Sequence, residues 1–171
     1  IIIGAHGDHL GLGDGNSSLA KPNEQSKVHF GADDNASGVA ALMELARYYS
    51  EFKAKNPAMI KNNLVFAVWS GEELGLLGSS HFVKSEEAKK MNIKAYLNMD
   101  MIGRYRDHLL VQAVGSASQW KAIVEKLSTQ TDLALATQED PYLSTDSMAF
   151  YMAGIPTISL FTGAHSEYHS P

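Results

Sequence analysis

The feature that most constrains this chain is its alternation of short apolar runs with segments of helical periodicity. Apolar runs typical of buried strands occur at residues 1–5, 64–69, 95–99, 109–114 and 158–161. Between them, apolar residues recur at helical spacing over residues 39–49, 120–127 and 148–152, and a short helix is predicted over 79–90. Strands that alternate with helices favour a central sheet covered by helices on both faces. The sequence therefore predicts a three-layer α/β/α fold whose sheet is mostly parallel or mixed.

The length and the ends of the chain bear on its domain organisation. With 171 residues, it has the size of one domain, so we expect a single domain over residues 1–171. The chain opens at Ile1 without an initiator methionine and stops at Pro171, which predicts an excised or processed piece truncated at both ends. Such a truncation would leave a sheet edge unpaired, and unpaired edges favour self-association with another chain.

Charge and composition exclude several classes of protein. Nineteen acidic residues against fourteen basic ones give a net charge of −5, and no run of Lys or Arg occurs, so we expect no nucleic-acid partner. No apolar stretch approaches the roughly 18–20 residues that cross a bilayer, so we expect no membrane span. The chain has no cysteine, which excludes disulfides, thiolate metal sites and cysteine nucleophiles.

Acidic and histidine side chains follow the ends of the predicted strands. In open α/β sheets, ligands bind outside the carboxyl ends of the strands, so we expect these side chains to converge. Imidazole and carboxylate groups together suit a divalent metal such as zinc, and one carboxylate can bridge two metals. The residues at these positions are His6 and Asp8, the pair Asp33 and Asp34 before the first helix, Glu72 and Glu73, Asp100, and the segment 165–169.

Charge counting within this set favours two ions rather than one. Two divalent cations carry four positive charges. Asp34, Glu73, Asp100 and a bridging hydroxide carry four negative charges if the histidines are neutral. A hydroxide held in a site of near-zero net charge would remain usable as a nucleophile near neutral pH.

Five segments of the chain resemble the metal-site motifs of the M28 peptidase family, which comprises co-catalytic zinc aminopeptidases and their relatives. They stand in the family's order and span nearly the whole chain, which makes the set far more specific than any one motif. The segments are AHGDHLG at 5–11, GADDNASG at 31–38, WSGEELG at 69–75, NMDMIG at 98–103 and FTGAHSEYH at 161–169.

The resemblance implies a metal ligand at five matching positions. His6 and Asp100 would hold one Zn²⁺ ion, and Glu73 and His169 would hold a second one. Asp34 would bridge the two ions. The family's zinc-dependent exopeptidase fold would then make residues 1–171 a peptidase catalytic domain.

The resemblance also implies three catalytic roles and one backbone feature. The carboxylate of Asp8 would accept the second ring N–H of His6 and so orient that imidazole. Glu72 would be the general base that takes a proton from the bridging water, and the Tyr168 phenol would donate to the developing oxyanion. The peptide bond between residues 34 and 35 is expected to be cis.

The function implied by the resemblance is a di-zinc metallo-aminopeptidase. It would hydrolyse N-terminal residues from peptides with a free N-terminus, through the metal-bridging hydroxide with Glu72 as base. The family's habit implies a secreted or periplasmic location. Two alternatives remain open: a single-zinc enzyme like glutaminyl cyclase, which differs in metal stoichiometry, and a metal-free binding domain of the same fold, which should lack several ligands.

Other polar residues receive less specific interpretations from the sequence. His165 lies four residues before His169, and we expect it to be a neighbour of the site rather than a ligand. Asp146 either borders a substrate pocket or caps a helix. Four further histidines are interpreted as ordinary surface or loop residues, namely His9, His29, His81 and His108.

Overall fold

The computed structural model describes residues 1–13 and 17–171. A six-stranded sheet forms its centre, in the order β2-β1-β3-β6-β4-β5. Neighbouring strands are parallel except β4 and β6, which pair antiparallel. The strands are β1 Ile2–His6, β2 Val65–Trp69, β3 Tyr96–Met99, β4 Leu109–Gln112, β5 Leu135–Thr137 and β6 Thr157–Phe161.

Helices cover both faces of this sheet. They are α1 Gly38–Lys55, α2 Leu77–Lys84, α3 Glu86–Lys90, α4 Gln119–Ser128 and α5 Asp146–Met152. An irregular helical turn, Ala32–Ser37, precedes α1, and a short 3₁₀ turn, Val114–Ser116, precedes α4. The predicted three-layer α/β/α fold with a mixed sheet is therefore confirmed.

One face of the sheet packs against α1 and α4. Ile3 and Met99 contact Leu42 of α1, while Val111 and Ile158 contact Val124 of α4. The two clusters meet at shared side chains of the sheet, so this face carries one continuous apolar layer. Burial of such a layer is the main force that holds helices onto a sheet.

The opposite face packs against α2 and α5 around aromatic side chains. Phe150 of α5 stacks on Tyr96 with ring centroids 3.8 Å apart. The ring centroids of Phe82 in α2 and Trp69 are 5.3 Å apart. A buried hydrogen-bond chain crosses this face: Trp69 Nε1 donates to Tyr96 Oη (2.8 Å), which donates to Asn98 Oδ1 (2.7 Å). Asn98 Nδ2 then donates to Ser159 Oγ (3.2 Å), so strands β2, β3 and β6 are tied together just below their carboxyl ends.

The predicted elements differ from the observed ones in two places. The helix predicted over 79–90 is two helices, because Ser85 adopts an extended backbone and its hydroxyl caps α3 by accepting the Ala88 N–H (3.1 Å). Strand β5 was not predicted at all. Its three residues are too few to show the alternation that marks a strand.

The sheet edges and the helices bear on two further expectations. Within residues 1–13 and 17–171, the outer edges of β2 and β5 pair with no further strand, so self-association through an edge stays a prediction. No helix in this part of the chain is both long enough and apolar enough to cross a membrane.

Candidate metal centre

The carboxyl ends of β1, β2, β3 and β6 meet at one edge of the sheet because these strands are parallel. His6 is the last residue of β1, and Asp100 follows β3 directly. Glu72 and Glu73 follow β2, where Gly71 turns the chain with a positive φ of 71° that favours glycine. The turn before α1 and the segment after β6 supply the remaining side chains, Asp34 and His169.

The structure brings the five candidate ligands together in two groups that share Asp34. In the first group, His6 Nε2 lies 3.2 Å from Asp34 Oδ1 and 3.3 Å from Asp100 Oδ1. In the second, His169 Nε2 lies 3.1 Å from Asp34 Oδ2 and 3.2 Å from Glu73 Oε2. The two oxygens of Asp34 thus face different groups, which is the arrangement of a bridging carboxylate.

These separations fit a zinc coordination sphere. Two ligand atoms about 2.1 Å from one zinc ion are separated by roughly 3.0 Å at a right angle and roughly 3.4 Å at the tetrahedral angle. The four separations above, 3.1–3.3 Å, lie between these limits. His6, Asp34 and His169 are also buried, and buried carboxylates are costly unless a cation or a donor compensates them. The donor set therefore suits divalent cations in both groups.

Both ligand histidines have a fixed ring orientation. His6 Nδ1 donates to the backbone carbonyl of Asp8 (3.1 Å), and His169 Nδ1 donates to the carbonyl of Ser17 (2.9 Å). Because a carbonyl only accepts, Nδ1 carries a proton in each ring. Nε2 is the nitrogen that faces the carboxylates and that could bind a cation placed among them. Such outer contacts set the tautomer and raise the basicity of a metal-ligating histidine.

The expected role of the Asp8 carboxylate requires a correction. Its nearest oxygen is 3.9 Å from His6 Nδ1, and the residue's backbone carbonyl takes the ring N–H instead. The carboxylate is turned away because it accepts the backbone N–H groups of Glu72 (3.1 Å) and Glu73 (3.3 Å). Asp8 therefore orients His6 through its main chain and fixes the turn after β2 through its side chain.

Asn35 fixes the turn that carries Asp34 against the end of β3. Its Nδ2 donates to the carbonyl of Met99 (2.9 Å), and its Oδ1 accepts from the N–H groups of Gly38 (3.0 Å) and Met101 (3.2 Å). The peptide between residues 34 and 35 is cis, as the resemblance implied. Sequence reasoning missed this role of Asn35, although its place inside GADDNASG was visible.

Glu72 lies in the same edge of the sheet but belongs to neither ligand group. Burial raises the pKa of its carboxyl to about 8, and the nearby carboxylates of Asp100, Asp146 and Glu73 add to the shift, while His6 opposes it. The side chain lines a cavity of about 600 Å³. A carboxyl with a pKa near neutrality at the wall of a cavity is suited to proton transfer.

Tyr168 lines the same cavity beside the second ligand group. Its ring stacks on His169 at a centroid distance of 3.8 Å. Burial and the surrounding carboxylates, Asp34 foremost, raise its pKa above the ordinary value, so the phenol remains a proton donor at neutral pH. The remaining wall is largely apolar and includes Met101, Met148 and Phe161.

Three residues outside the ligand set have informative positions. His165 Nε2 lies 3.2 Å from Asp33 Oδ2, so it stands beside the site, not among the ligands. Asp146 is buried at the start of α5. His9, interpreted from the sequence as an ordinary loop residue, instead places Nδ1 2.8 Å from Glu73 Oε1. The spacing of His6 and His9 beyond one strand end was the signal that could have found it.

Comparison with known proteins agrees with the fold and the motifs. A probable leucine aminopeptidase 2 of Aspergillus oryzae is 32% identical over 166 residues, which cover 89% of this chain and 32% of that protein. The LapA aminopeptidase of Legionella pneumophila superimposes with a TM-score of 0.76 at 23% identity, over 99% of this chain and 43% of LapA. A glutaminyl cyclase of Bacteroides thetaiotaomicron superimposes with a TM-score of 0.71 at 20% identity, over 99% and 63% of the two chains.

This chain covers only part of each relative, which limits what the similarities show. The chain spans about a third of the length of the curated relatives it matches. The model described as peptidase family M28, however, matches every residue from 1 to 171. On that match, this chain belongs to peptidase family M28.

Proposed function

We propose that this chain is the catalytic domain of a metallo-aminopeptidase that holds two zinc ions and removes the N-terminal residue from peptides. The observation that carries the proposal is the position of Asp34. Its two oxygens face two separate imidazole–carboxylate pairs at 3.1–3.2 Å from the histidine nitrogens. A single metal would leave one of these buried pairs without a cation.

The residues divide between the two positions as the contacts suggest. His6 and Asp100 would hold one ion, Glu73 and His169 the other, and Asp34 both. When bound, two zinc ions acidify a water molecule and polarise the carbonyl of the scissile peptide.

Glu72 acts as the general base in this proposal. In its ionised form, its partly buried carboxyl would accept a proton from the attacking water and pass it to the leaving amine. The Asp8 carboxylate holds the Glu72 backbone N–H and so fixes the start of this side chain. Tyr168 donates its phenol proton to the oxygen that becomes negative in the transition state.

The cavity indicates the substrate class. The free α-amine of a peptide would be attracted by the carboxylates of Glu72 and Asp100, which line the cavity. Met148, Phe161 and Leu143 on its wall would contact the first side chain of the substrate. Apolar walls of this kind favour an apolar N-terminal residue.

The experiment that tests this function is an assay on aminoacyl chromogenic substrates with the Glu72→Gln variant. We expect chelator-sensitive release of the N-terminal residue by the wild type. The variant should lose about 10²–10⁴-fold in kcat while it keeps the zinc content of the wild type. Glu125→Gln, which changes an exposed carboxylate on α4, is the matched control. Full turnover by Glu72→Gln with zinc bound would contradict the assigned base.

A second candidate function has one observation in its favour. The Bacteroides glutaminyl cyclase shares this fold over 99% of the present chain. A single-zinc cyclase would bind one metal per chain and convert an N-terminal glutamine without hydrolysis. A metal-free binding domain is opposed by the complete ligand set.

The location implied by the family, secreted or periplasmic, is also a proposal, and fractionation of the source cells tests it.

A further inference from the structure

We infer that His9 is a positioning residue for the second zinc position. It donates a hydrogen bond from Nδ1 to Glu73 Oε1 and thereby holds Glu73 Oε2 toward His169. The inference rests on the proposed function, because it assigns a role within the same di-zinc site.

The two oxygens of Glu73 have different partners. Oε1 lies 2.8 Å from His9 Nδ1, which is a hydrogen-bond length. Oε2 lies 3.2 Å from His169 Nε2, which is the separation expected of two ligands on one ion. One oxygen of Glu73 is therefore hydrogen-bonded to His9, and the other faces His169 and the second zinc position.

The distances separate His9 from the ligands themselves. The ligand pairs in this site are 3.1–3.3 Å apart. His9 Nδ1 is closer than that to Glu73 Oε1, at 2.8 Å, and farther than that from Asp34 Oδ2, at 3.8 Å. His9 also lies within the group of side chains that could hold the second ion, but the short contact to Glu73 Oε1 and the long one to Asp34 favour a hydrogen bond over a shared ion.

The surroundings of His9 keep its ring in place. Its side chain is only 11% exposed, and the ring packs edge-on against His169 at 5.6 Å. The ring centroid of His29 lies 6.4 Å from that of His9. His29 is itself hydrogen-bonded to Ser18, whose Oγ is 2.8 Å from His29 Nε2. A donor fixed in this way reduces the conformational freedom that Glu73 would lose on binding an ion.

The backbone of Glu73 is restrained by a separate contact. The carboxylate of Asp8 accepts its N–H at 3.3 Å, so Asp8 positions the main chain and His9 positions the carboxylate. Loss of an outer partner of a metal ligand typically costs about 10–100-fold in metal affinity. The second position should therefore depend on His9, and the first position should not.

The test measures zinc affinity by competition with a chromophoric chelator, together with the number of zinc ions per chain. His9→Leu removes the donor, whereas His9→Asn keeps an N–H donor near the place of Nδ1. The control is His108→Leu, an exposed histidine in the connection between β3 and β4. We expect one of the two zinc ions to bind about 10–100-fold more weakly in His9→Leu, with the other unchanged. His9→Asn should restore most of that loss, and His108→Leu should match the wild type.

Three outcomes would overturn the inference. Wild-type affinity for both ions in His9→Leu would show that the contact does not matter. A loss in His9→Asn equal to that in His9→Leu, with one imidazole fewer around zinc by X-ray absorption in both, would make His9 a ligand. A wild type that binds fewer than two zinc ions would overturn the proposed di-zinc function, and this role with it.

Discussion

At the scale of single residues, the carboxylates of this site differ in their surroundings, and those surroundings decide what each can do. Asp34 stands between two imidazoles, while the Asp8 carboxylate accepts two backbone N–H groups. Glu72 lines a cavity, and burial raises the pKa of its carboxyl. Asp146 is buried, and neither of its carboxylate oxygens has a hydrogen-bond partner among the described residues. Under the proposed function, these carboxylates would have three different roles: Asp34 would bridge two ions, Asp8 would fix the turn after β2, and Glu72 would be the base.

The phenol of Tyr168 should contribute to the transition state and not to binding of the ground state. We expect Tyr168→Phe to lower kcat by about 10²–10³-fold, because the ring still stacks on His169 but no longer donates. KM and zinc content should stay near wild-type values. Steady-state kinetics check this, with the exposed Tyr48→Phe as control. A variant with the kcat of the wild type would remove Tyr168 from the mechanism.

Asp146 should make the stability of the zinc-free protein depend on pH. Burial raises the pKa of its carboxyl from 3.8 to about 6. Between these values the folded state binds more protons than the unfolded state, so this group's contribution to stability falls as pH rises. Above pH 6 the buried charge costs up to about 3 kcal/mol.

The Asp146→Asn variant removes this dependence. In the presence of a chelator, we expect it to be more stable than the wild type at neutral pH and equally stable near the unfolded-state pKa. Urea unfolding at a series of pH values measures the difference. The exposed Asp107→Asn is the control, and a difference that does not change with pH would contradict the assignment.

Residues next to strand ends were the easiest to identify from sequence. His6 and Asp100 stand directly beyond an apolar run and Glu73 stands four residues beyond one, and the ends of parallel strands meet in space. His9 and Asn35 could not be identified in this way. Their roles depend on hydrogen bonds to atoms 64 residues away along the chain, which no local pattern records.

At the scale of elements, the close contact between the start of α1 and the end of β3 sets the geometry of the site. Gly38 has ordinary helical angles, φ −63° and ψ −42°, so alanine there would normally stabilise the protein. An added Cβ, however, would lie 2.6 Å from the carbonyl oxygen of Met99 and would also collide with the side chain of Asn35. Helix and strand would have to separate.

We therefore expect Gly38→Ala to lower the free energy of unfolding by about 1–3 kcal/mol. Zinc binding should weaken as well, because Asp34 and Asp100 lie on the two elements that are forced apart. Ser50→Ala, at an exposed position on the same helix, is the control and should have little effect. Denaturant unfolding and metal titration measure both quantities, and an unchanged or increased stability of Gly38→Ala would show that the contact is not tight.

The bounds of an element could be predicted where its apolar period was long. The prediction failed where that period was short. The 18-residue helix α1 was expected from its spacing. The break at Ser85 was missed because residues 79–90 contain only three apolar residues, too few for a period that would locate a helix boundary. Serine is, however, a strong helix cap. The three-residue β5 has no pattern of its own and depends on pairing with β4.

For the molecule as a whole, the direction of the strands brings the candidate metal ligands together. β1, β2, β3 and β6 run parallel and deliver their ends to one edge, whereas β4 and β5 run the other way and supply no ligand. The sequence could predict a mostly parallel or mixed sheet but not the reversed pair. Strand direction follows from how the connections pack over the sheet, and the apolar pattern of a strand is the same in both directions.

The candidate ligands are also spread along the whole chain, from His6 to His169. The site therefore exists only in the folded molecule. Ions that bind the folded state and not the unfolded state stabilise the fold by mass action, so zinc would tie together the ends of four strands and the turn before α1.

Anomalous diffraction at the zinc absorption edge, from crystals of the zinc-loaded chain, would show whether Asp34 joins two ions. We expect two peaks about 3.5–4 Å apart. One should contact His6 and Asp100, the other Glu73 and His169, and both should contact Asp34. A single peak, or two peaks that Asp34 does not join, would contradict this expectation.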